Sequence, residues 1–193
     1  SLLFDPKLLM RTVVVIPARM GSGRLPGKVM RPVLGKPLLG HLLDRVKLCS
    51  GVDEVIVASS DRVENDVIES YCDFRGIVTF RGSEEDVLSR LVGALQSVQA
   101  DTGVLVFGDG PLVDPRIIDQ ILTTHRETMQ YDFIGNDLTT SWPPGMEVEV
   151  FQTKILEDSN ARCKDSRIRE HGTLYIRTHP ELYVLHNVDA PKD

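Results

Sequence analysis

Up to residue 128, short apolar runs alternate with segments of helical periodicity. The apolar runs are bounded by turn-forming residues, so we predict buried strands at 13–16, 55–58, 77–80 and 104–107. The segments between them predict helices at about 38–48, 62–74, 84–99 and 115–128. Strands that alternate with crossover helices form a mostly parallel sheet covered on both faces, so we predict an α/β fold.

The pattern changes near residue 140. A short fifth strand begins at 133–134, residues 146–150 alternate like a half-exposed strand, and helices follow near 153–160 and 166–177. We interpret residues 140–180 as an insertion that closes over a site or pairs with a second subunit. We expect one domain over residues 10–193, with residues 1–9 as an upstream extension or a cloning remnant.

Composition excludes several classes of function. The net charge of −6 argues against non-specific binding to nucleic acid, and no apolar run reaches the length of a membrane span. The three cysteines, Cys49, Cys72 and Cys163, are odd in number and widely spaced. They favour a reducing, cytoplasmic location and buried structural thiols, and they do not suggest a zinc site.

The loop at 17–28 carries the strongest functional signal. It follows the first buried strand and combines the glycines Gly21, Gly23 and Gly27 with the cations Arg19, Arg24 and Lys28. Free backbone N–H groups and fixed positive charge are what a triphosphate requires. The carboxyl end of a strand is also where open α/β sheets bind ligands.

Other phosphate-binding loops fit this stretch less well. The dinucleotide fingerprint G-x-G-x-x-G fails because Gly27 comes one place too late after Gly21 and Gly23. The Walker loop fails because Val29, and not serine or threonine, follows Lys28. The remaining alternative is a solvated turn whose cations only aid solubility.

Asp109 is the candidate metal ligand. It stands where the fourth strand ends, so its carboxylate should face the same crevice as the first loop. A triphosphate needs Mg²⁺, which prefers carboxylate oxygens. The alternative is an Asp that bonds only its own turn, as Asp114 is expected to cap the next helix.

Each of the further polar residues has two possible roles. Arg81 could contact a base or a substrate carboxylate, or pair with Glu84 or Glu85 at the surface. Ser59 and Ser60 end the second strand, where helix capping competes with substrate contact.

Glu147 and Glu149 share one face of their strand, where they could bind sugar hydroxyls or simply face solvent. Arg169 could receive an acceptor carboxylate. No Ser–His–Asp or Cys–His arrangement is readable, which fits nucleotidyl transfer, where positioning and charge neutralisation dominate catalysis.

A family resemblance adds to this interpretation. The segments 17–22 and 24–28 resemble the signature of the cytidylyltransferases that make CMP-sugars, including the sialic acid and Kdo synthetases. The branch of spore-coat polysaccharide biosynthesis proteins matches best. Further segments resemble that branch in order, at 35–38, 80–88, 108–115, 148–151 and 169–171.

The resemblance implies a Rossmann-like sheet of the glycosyltransferase-A type, CTP as donor, Mg²⁺ dependence and a homodimer. It implies that Arg19 and Lys28 are catalytic and hold the phosphates, and that Asp109 binds the metal. The nucleotide-binding set would be Pro17, Ala18, Arg19, Gly21, Ser22, Arg24, Lys28 and Arg81, with the backbone around Ala18 and Arg81 meeting the cytosine. The candidates for substrate binding remain those suggested by the residues themselves, Ser59, Glu147, Glu149 and Arg169.

Three departures from the family pattern matter. Gly23 stands where the branch has Thr or Ser, and Gly110 replaces the residue between Asp and Pro. A second metal-binding Asp is also missing, and Asp189 corresponds to an earlier segment, so we expect a truncated chain or a missing ligand.

We therefore predict a cytoplasmic enzyme that transfers CMP from CTP to an acidic sugar, releases pyrophosphate and serves surface polysaccharide biosynthesis. The alternatives are a uridylyl- or guanylyltransferase acting on a sugar phosphate, and a non-catalytic nucleotide-binding relative.

Overall fold

The structure, a computed structural model, describes residues 10–21, 23, 25–128 and 130–191. The predicted extension at 1–9 lies outside the described residues. The strands are β1 (Thr12–Pro17), β2 (Pro32–Val33), β3 (Lys36–Pro37), β4 (Glu54–Ser60), β5 (Val78–Gly82), β6 (Thr102–Val106), β7 (Phe133–Gly135), β8 (Val148–Gln152) and β9 (Leu185–Asn187). The helices are α1 (Leu38–Val46), α2 (Asp66–Phe74), α3 (Val87–Ser97), α4 (Pro115–Thr128), α5 (Thr153–Arg162), α6 (Ser166–Arg169) and α7 (Leu174–Arg177), with 3₁₀ turns at Lys28–Met30 and Val63–Asn65.

Among the described residues, seven strands form one sheet in the order β5-β4-β1-β6-β8-β7-β9. β1 pairs in parallel with β4 and β6, and β4 pairs in parallel with β5. β8 runs antiparallel to β6 and β7, while β7 and β9 are parallel. The predicted mostly parallel α/β sheet is confirmed, and it has the Rossmann-like form that the family resemblance implied.

β1 lies in the middle of the sheet and is buried on both faces. Val14 and Ile16 belong to the core that α1, α2 and α4 cover, and Val13 and Val15 to the core that α3 and α5 cover. Successive residues of a strand point to opposite faces, and helices cover both faces here. All four side chains are therefore fully buried. This packing places the carboxyl end of β1, and with it the loop at 17–28, at one edge of the sheet beside the end of β6.

The predicted half-exposed strand at 146–150 is wrong. The strand is Val148–Gln152, and its first four residues are buried. It lies inside the sheet, with hydrogen bonds to β6 on one side and β7 on the other. The alternating pattern suggested a solvent-facing row, but Glu149, the one glutamate of this strand, is buried with polar partners, described below. With both of its edges paired, this strand cannot pair with a second subunit.

The predicted helix at 166–177 is not continuous. It is two short helices, α6 and α7, with the turn at 170–173 between them. The interruption matters because this turn reaches the edge of the sheet where the first loop lies.

The three cysteines are free thiols. Cys72 and Cys163 are buried and Cys49 is half-buried, so the prediction of buried thiols is confirmed for two of the three. Burial raises the pKa of Cys49 to about 12 and that of Cys72 to about 11, which makes both thiols unreactive at neutral pH. None of the helices in the described part of the chain has the length and apolar character needed to cross a membrane.

Candidate active site

A cleft of about 470 Å³ opens at the carboxyl edge of β1 and β6. One wall comes from the end of β1 and the first loop, at 17–19, 23 and 28–29, and another from the first half of α3, at 87, 90 and 91. The floor comes from the end of β6 at 105 and 107–109, and the turn at 170–172 closes the side. The cleft therefore lies where an open α/β sheet is expected to bind a ligand.

The first loop is anchored to the body of the protein. Gly27 has a φ of 69°, which favours glycine, and its N–H donates to the carbonyl of Met20 at 2.8 Å. The N–H of Met20 donates to Oδ1 of Asn65 at 2.8 Å, and Nδ2 of Asn65 donates to Oγ of Ser60 at 2.6 Å. The loop is thus tied at Met20 to the end of β4 through Asn65.

Two cations of the loop line the cleft, and each is paired with a carboxylate. Nη1 of Arg19 donates to Oε1 of Glu84 at 2.9 Å, and its Nη2 lies 3.8 Å from Oε1 of Glu170. Nζ of Lys28 forms an ion pair with Oδ2 of Asp109. The cleft therefore brings Arg19, Lys28 and Asp109 together, and their assignment to phosphates and a metal stays a prediction.

Glu84 is the buried anchor for Arg19, with only 7% of the residue exposed. Burial acts to raise the pKa of Glu84, but its interaction with the Ser60 hydroxyl and the positive charge of Arg19 outweigh burial and lower that pKa. The carboxylate therefore stays ionised and keeps the Arg19 guanidinium at the mouth of the cleft.

Gly108 brings the ends of β1 and β6 into close contact. A Cβ at this position would lie 2.5 Å from the backbone oxygen of Pro17, which cannot move without shifting β1. We expect Gly108→Ala to lower the unfolding free energy by about 1–3 kcal/mol or more. Urea titration measures this, with Gly23→Ala as the control, because a Cβ on Gly23 meets nothing within 4 Å in the part of the chain that the structure describes. Equal stability of the two variants would contradict the close approach.

A second cavity of about 400 Å³ shares Phe107 and Asp109 with the cleft. Asp137 and Glu147 also line it, so it is acidic. Glu147 accepts hydrogen bonds from the N–H of Gly145 at 2.8 and 3.1 Å. This contact holds the 143–146 turn and leaves Glu147 facing the acidic cavity.

A third cavity of about 570 Å³ shares Phe107 and His171 with the cleft. Glu149 lies at its base and is fully buried. Oε2 of Glu149 accepts from the Thr173 hydroxyl at 2.6 Å, and Oε1 accepts from Nη1 of Arg177 at 2.8 Å. Burial raises the pKa of Glu149 to about 7 in spite of these partners.

Arg81 does not line the cleft, contrary to the expected base contact. Its Nη1 donates to Asp66 and Glu69 at 2.5 and 2.8 Å, and its other nitrogens donate to the carbonyls of Ser60 and Arg62. All three nitrogens of the guanidinium are thus engaged in joining β5 to the start of α2. Arg81 forms ion pairs, as the sequence suggested, but its partners are Asp66 and Glu69 and not Glu84 or Glu85.

Arg169 and Ser59 are likewise placed away from the cleft. Arg169 donates to Asp86, to Oδ1 and the carbonyl of Asn160, and to the carbonyl of Cys163, at distances of 2.5–3.0 Å. Ser59 is fully buried in β4, and its hydroxyl has no hydrogen-bond partner among the described residues. These positions favour structural roles for both residues over substrate contact.

The remaining predicted residues divide into two groups. Pro17 and Ala18 line the cleft directly. Gly21 is exposed beside the cleft, and a Cβ there would lie 2.9 Å from Oε1 of Glu84. Ser22 and Arg24 lie outside the described residues.

Sequence reasoning did not nominate several residues that line the cleft, among them Arg90, Phe107, Glu170 and His171. The apolar stripe of α3 runs through Leu88, Leu91 and Leu95, so Arg90 falls on the face that helical periodicity assigns to solvent. His171 belongs to one of the segments that carry the family resemblance, and its position in that segment was the only available signal.

Comparison with known proteins identifies similar chains. A cytidylyltransferase family model matches residues 13–191. The spore coat polysaccharide biosynthesis protein SpsF of Bacillus subtilis is 38% identical over 184 residues, which is 92% of this chain and 75% of that protein.

Two further similarities agree with this match. The 3-deoxy-manno-octulosonate cytidylyltransferase of Escherichia coli is 36% identical over 117 residues, 61% of this chain and 47% of that protein. The structure of a cytidylyltransferase from Leptospira borgpetersenii superimposes with a TM-score of 0.91 at 29% identity, covering 95% of this chain and 78% of that one.

Proposed function

The chain belongs to the cytidylyltransferase family, and on that premise we propose that it transfers CMP from CTP to an acidic sugar and releases pyrophosphate. The single observation that carries the proposal is the cleft in which Arg19 and Lys28 lie beside Asp109 at the carboxyl edge of β1 and β6. The names of the similar proteins support a role in surface polysaccharide biosynthesis and an acceptor of the octulosonate type.

The lining of the cleft combines charged and apolar side chains, which suits a nucleoside triphosphate. Arg19, Lys28 and Asp109 supply charged groups, and Val87 and Leu91 are among the apolar ones. Phosphates would lie against the part that carries Lys28 and Asp109, here called the charged end, and the base against apolar side chains.

The residues at the charged end fit a magnesium ion. The side chain of Asp109 is 48% exposed, so its carboxylate can take a second partner besides Lys28. Among the described residues, no group of three or more His, Cys, Asp or Glu side chains is arranged to hold a metal. Mg²⁺ commonly binds through one or two carboxylates together with substrate phosphates and water, so a single Asp suffices here. When bound, the ion would neutralise charge on the phosphates.

The acceptor would enter from the third cavity, which shares Phe107 and His171 with the cleft. This cavity places Arg177 and His171 at its wall, and both can donate hydrogen bonds to a sugar carboxylate or hydroxyl. The acidic second cavity, with Asp137 and Glu147, would repel an anionic acceptor.

In the proposed reaction an acceptor hydroxyl attacks the α-phosphorus of CTP, and the bond to the pyrophosphate oxygen breaks. Arg19 and Lys28 hold the phosphates and offset the charge that develops on the leaving pyrophosphate. The Glu84 carboxylate, which accepts from Arg19 at 2.9 Å, would keep the guanidinium in place. The hydroxyl proton leaves to solvent or to a group on the substrate.

Two further parts of the proposal concern assembly and location. We propose a homodimer on the family resemblance, with a contact other than β8, whose edges are both paired. Sedimentation velocity on the purified protein tests this directly. We also propose a cytoplasmic location, because the three cysteines are free thiols and CTP is a cytoplasmic nucleotide.

The decisive experiment measures pyrophosphate release with CTP, UTP, GTP and ATP, each with Mg²⁺, against a panel of acidic sugars that includes octulosonates. Release with CTP and one acidic sugar is the expected result. Asp109→Asn should lower the rate and raise the Mg²⁺ concentration needed for half-maximal activity, because it weakens the metal ligand. Release only with UTP or GTP and a sugar phosphate would replace the proposal with a different nucleotidyltransferase. Nucleotide binding without release would indicate a non-catalytic relative.

A further inference from the structure

The cleft and the third cavity meet at one pair of residues. Phe107 and His171 line both of them, and no other residue in the described part of the chain does so. An acceptor in the third cavity would therefore approach a nucleotide in the cleft beside these two side chains. Of the two, only the imidazole of His171 can take up or release a proton.

His171 lies on a turn that is anchored on both sides. Two residues before it, Arg169 donates to Oδ2 of Asp86, the N-cap of α3, at 2.9 Å. Two residues after it, the Thr173 hydroxyl donates to Oε2 of Glu149 in β8 at 2.6 Å. These contacts fix the backbone on either side of His171, so the ring is presented from a supported position between the two cavities.

The His171 ring is free to act on a substrate. The residue is exposed, and its side chain has no hydrogen bond or ion pair with any residue that the structure describes. A neutral imidazole has one donor and one acceptor nitrogen, so a ring that can donate to a sugar group can also accept from a hydroxyl. An acceptor hydroxyl at the boundary of the two cavities can therefore use this ring as its hydrogen-bonding partner.

The carboxylates that line the two cavities are less suited to take a proton at this boundary. Asp109 and Glu170 line the cleft but not the third cavity, and each is already paired with a cation of the first loop. Glu149 lines the third cavity, but it is fully buried and both of its oxygens accept hydrogen bonds. The other charged side chains that line the two cavities are cations, which cannot accept a hydrogen bond: Arg19, Lys28, Arg90 and Arg177.

We propose that His171 is the general base of the reaction, an inference that rests on the proposed function. Its unprotonated ring nitrogen takes the proton of the acceptor hydroxyl while the hydroxyl oxygen bonds to the α-phosphorus of CTP. The bond between the α-phosphorus and the pyrophosphate oxygen breaks, and the imidazolium then releases its proton to solvent. A base in the protein thus replaces solvent as the first acceptor of this proton. General-base catalysis contributes about 10²- to 10⁴-fold to a rate.

The test measures kcat and the Kd of CTP in His171→Gln, with Mg²⁺ and 3-deoxy-manno-octulosonate or the acidic sugar that the panel identifies. Because the residue is exposed, the substitution should leave the fold intact. We expect kcat to fall by about 10²-fold or more. The Kd of CTP, measured by calorimetry, should stay within about twofold, since the base acts on the acceptor. His186→Gln is the matched control, because His186 stacks on Tyr131 and lines neither cavity, and it should keep the wild-type kcat.

The pH dependence of kcat separates a base from a donor. The wild-type kcat should fall as the pH is lowered, because a protonated imidazole cannot accept the hydroxyl proton. His171→Gln should lose this fall, whereas a fall caused by titration of the CTP phosphates would persist in both proteins. A wild-type kcat that falls as the pH is raised, with that fall lost in His171→Gln, would make His171 a donor and overturn the inference.

The failure of the inference and the failure of the proposed function give different results. Wild-type turnover together with an unchanged kcat in His171→Gln would overturn the inference and leave the proposed function intact. A higher KM for the acceptor sugar at unchanged kcat would also overturn it, because His171 would then only bind the acceptor. Absence of wild-type pyrophosphate release with CTP and every acidic sugar would contradict the proposed function and the inference with it.

Discussion

Lys28→Ala should lower the rate of pyrophosphate release by about 10²- to 10³-fold, because a fixed positive charge aimed at the phosphates is lost. Lys28 lines the cleft and pairs with Asp109, so its ammonium stands where the phosphates and the metal ligand meet. Replacement of Lys28 also leaves the Asp109 carboxylate without its cation, which adds repulsion toward a triphosphate. The effect should appear mainly in kcat, since the charge is needed most when the pyrophosphate leaves.

Lys36→Ala is the matched control for this prediction. Lys36 is also paired with a carboxylate, that of Asp44, but it does not line the cleft. Its loss should leave the rate within about twofold, as expected for an exposed ion pair. Arg19→Ala should also reduce turnover strongly, although it removes the partner of buried Glu84 and so lowers stability too. Near-normal turnover in both Lys28→Ala and Arg19→Ala would contradict the assignment of the cleft as the catalytic site.

The unfolding free energy should change little between pH 7.5 and pH 5, because two buried groups titrate with opposite effects. The folded-state pKa of Glu149 is raised by burial from 4.5 to about 7, and that of His125 is lowered by burial, and further by the charge of Arg126, from 6.5 to about 4. Both residues are almost completely buried. They lie on different elements, β8 and α4, so their contributions should add.

The sign of each contribution follows from which state binds the proton more tightly. Folded Glu149 binds a proton below about pH 7 while the unfolded chain does so only below 4.5, so acidification from pH 7.5 to 5 stabilises the fold by about 2 kcal/mol. The unfolded chain protonates His125 below pH 6.5 while the folded protein resists this down to about pH 4, so the same acidification destabilises the fold by about 2 kcal/mol.

Single variants should separate the two effects. Glu149→Gln removes the favourable proton uptake, so its unfolding free energy should fall by about 2 kcal/mol from pH 7.5 to pH 5. His125→Phe removes the destabilising contribution of His125, so its unfolding free energy should rise by about 2 kcal/mol from pH 7.5 to pH 5. Urea titrations at four pH values measure both slopes. Parallel pH dependence in the two variants would show that these residues do not control the stability in this range.

Several features of this protein were readable from the sequence because they depend on local pattern. The apolar run at 13–16 and the glycine- and cation-rich loop after it predicted a buried strand and a phosphate-binding end, and the structure places Arg19 and Lys28 in one cleft with Asp109. Periodicity and turn residues act over a few positions, so they reveal strand and helix alternation and the edge at which loops gather.

Other features were decided only by the tertiary structure, because they depend on partners far away in the chain. β8 became an internal strand by pairing with β6 and β7, which buried Glu149 beside Thr173 and Arg177. Arg81 was engaged by carboxylates of α2, while Arg90 was buried in the cleft wall, where its Nε has no partner among the described residues. Local sequence shows that an arginine or a glutamate is present, but only packing decides whether water, another residue or a ligand satisfies its charge.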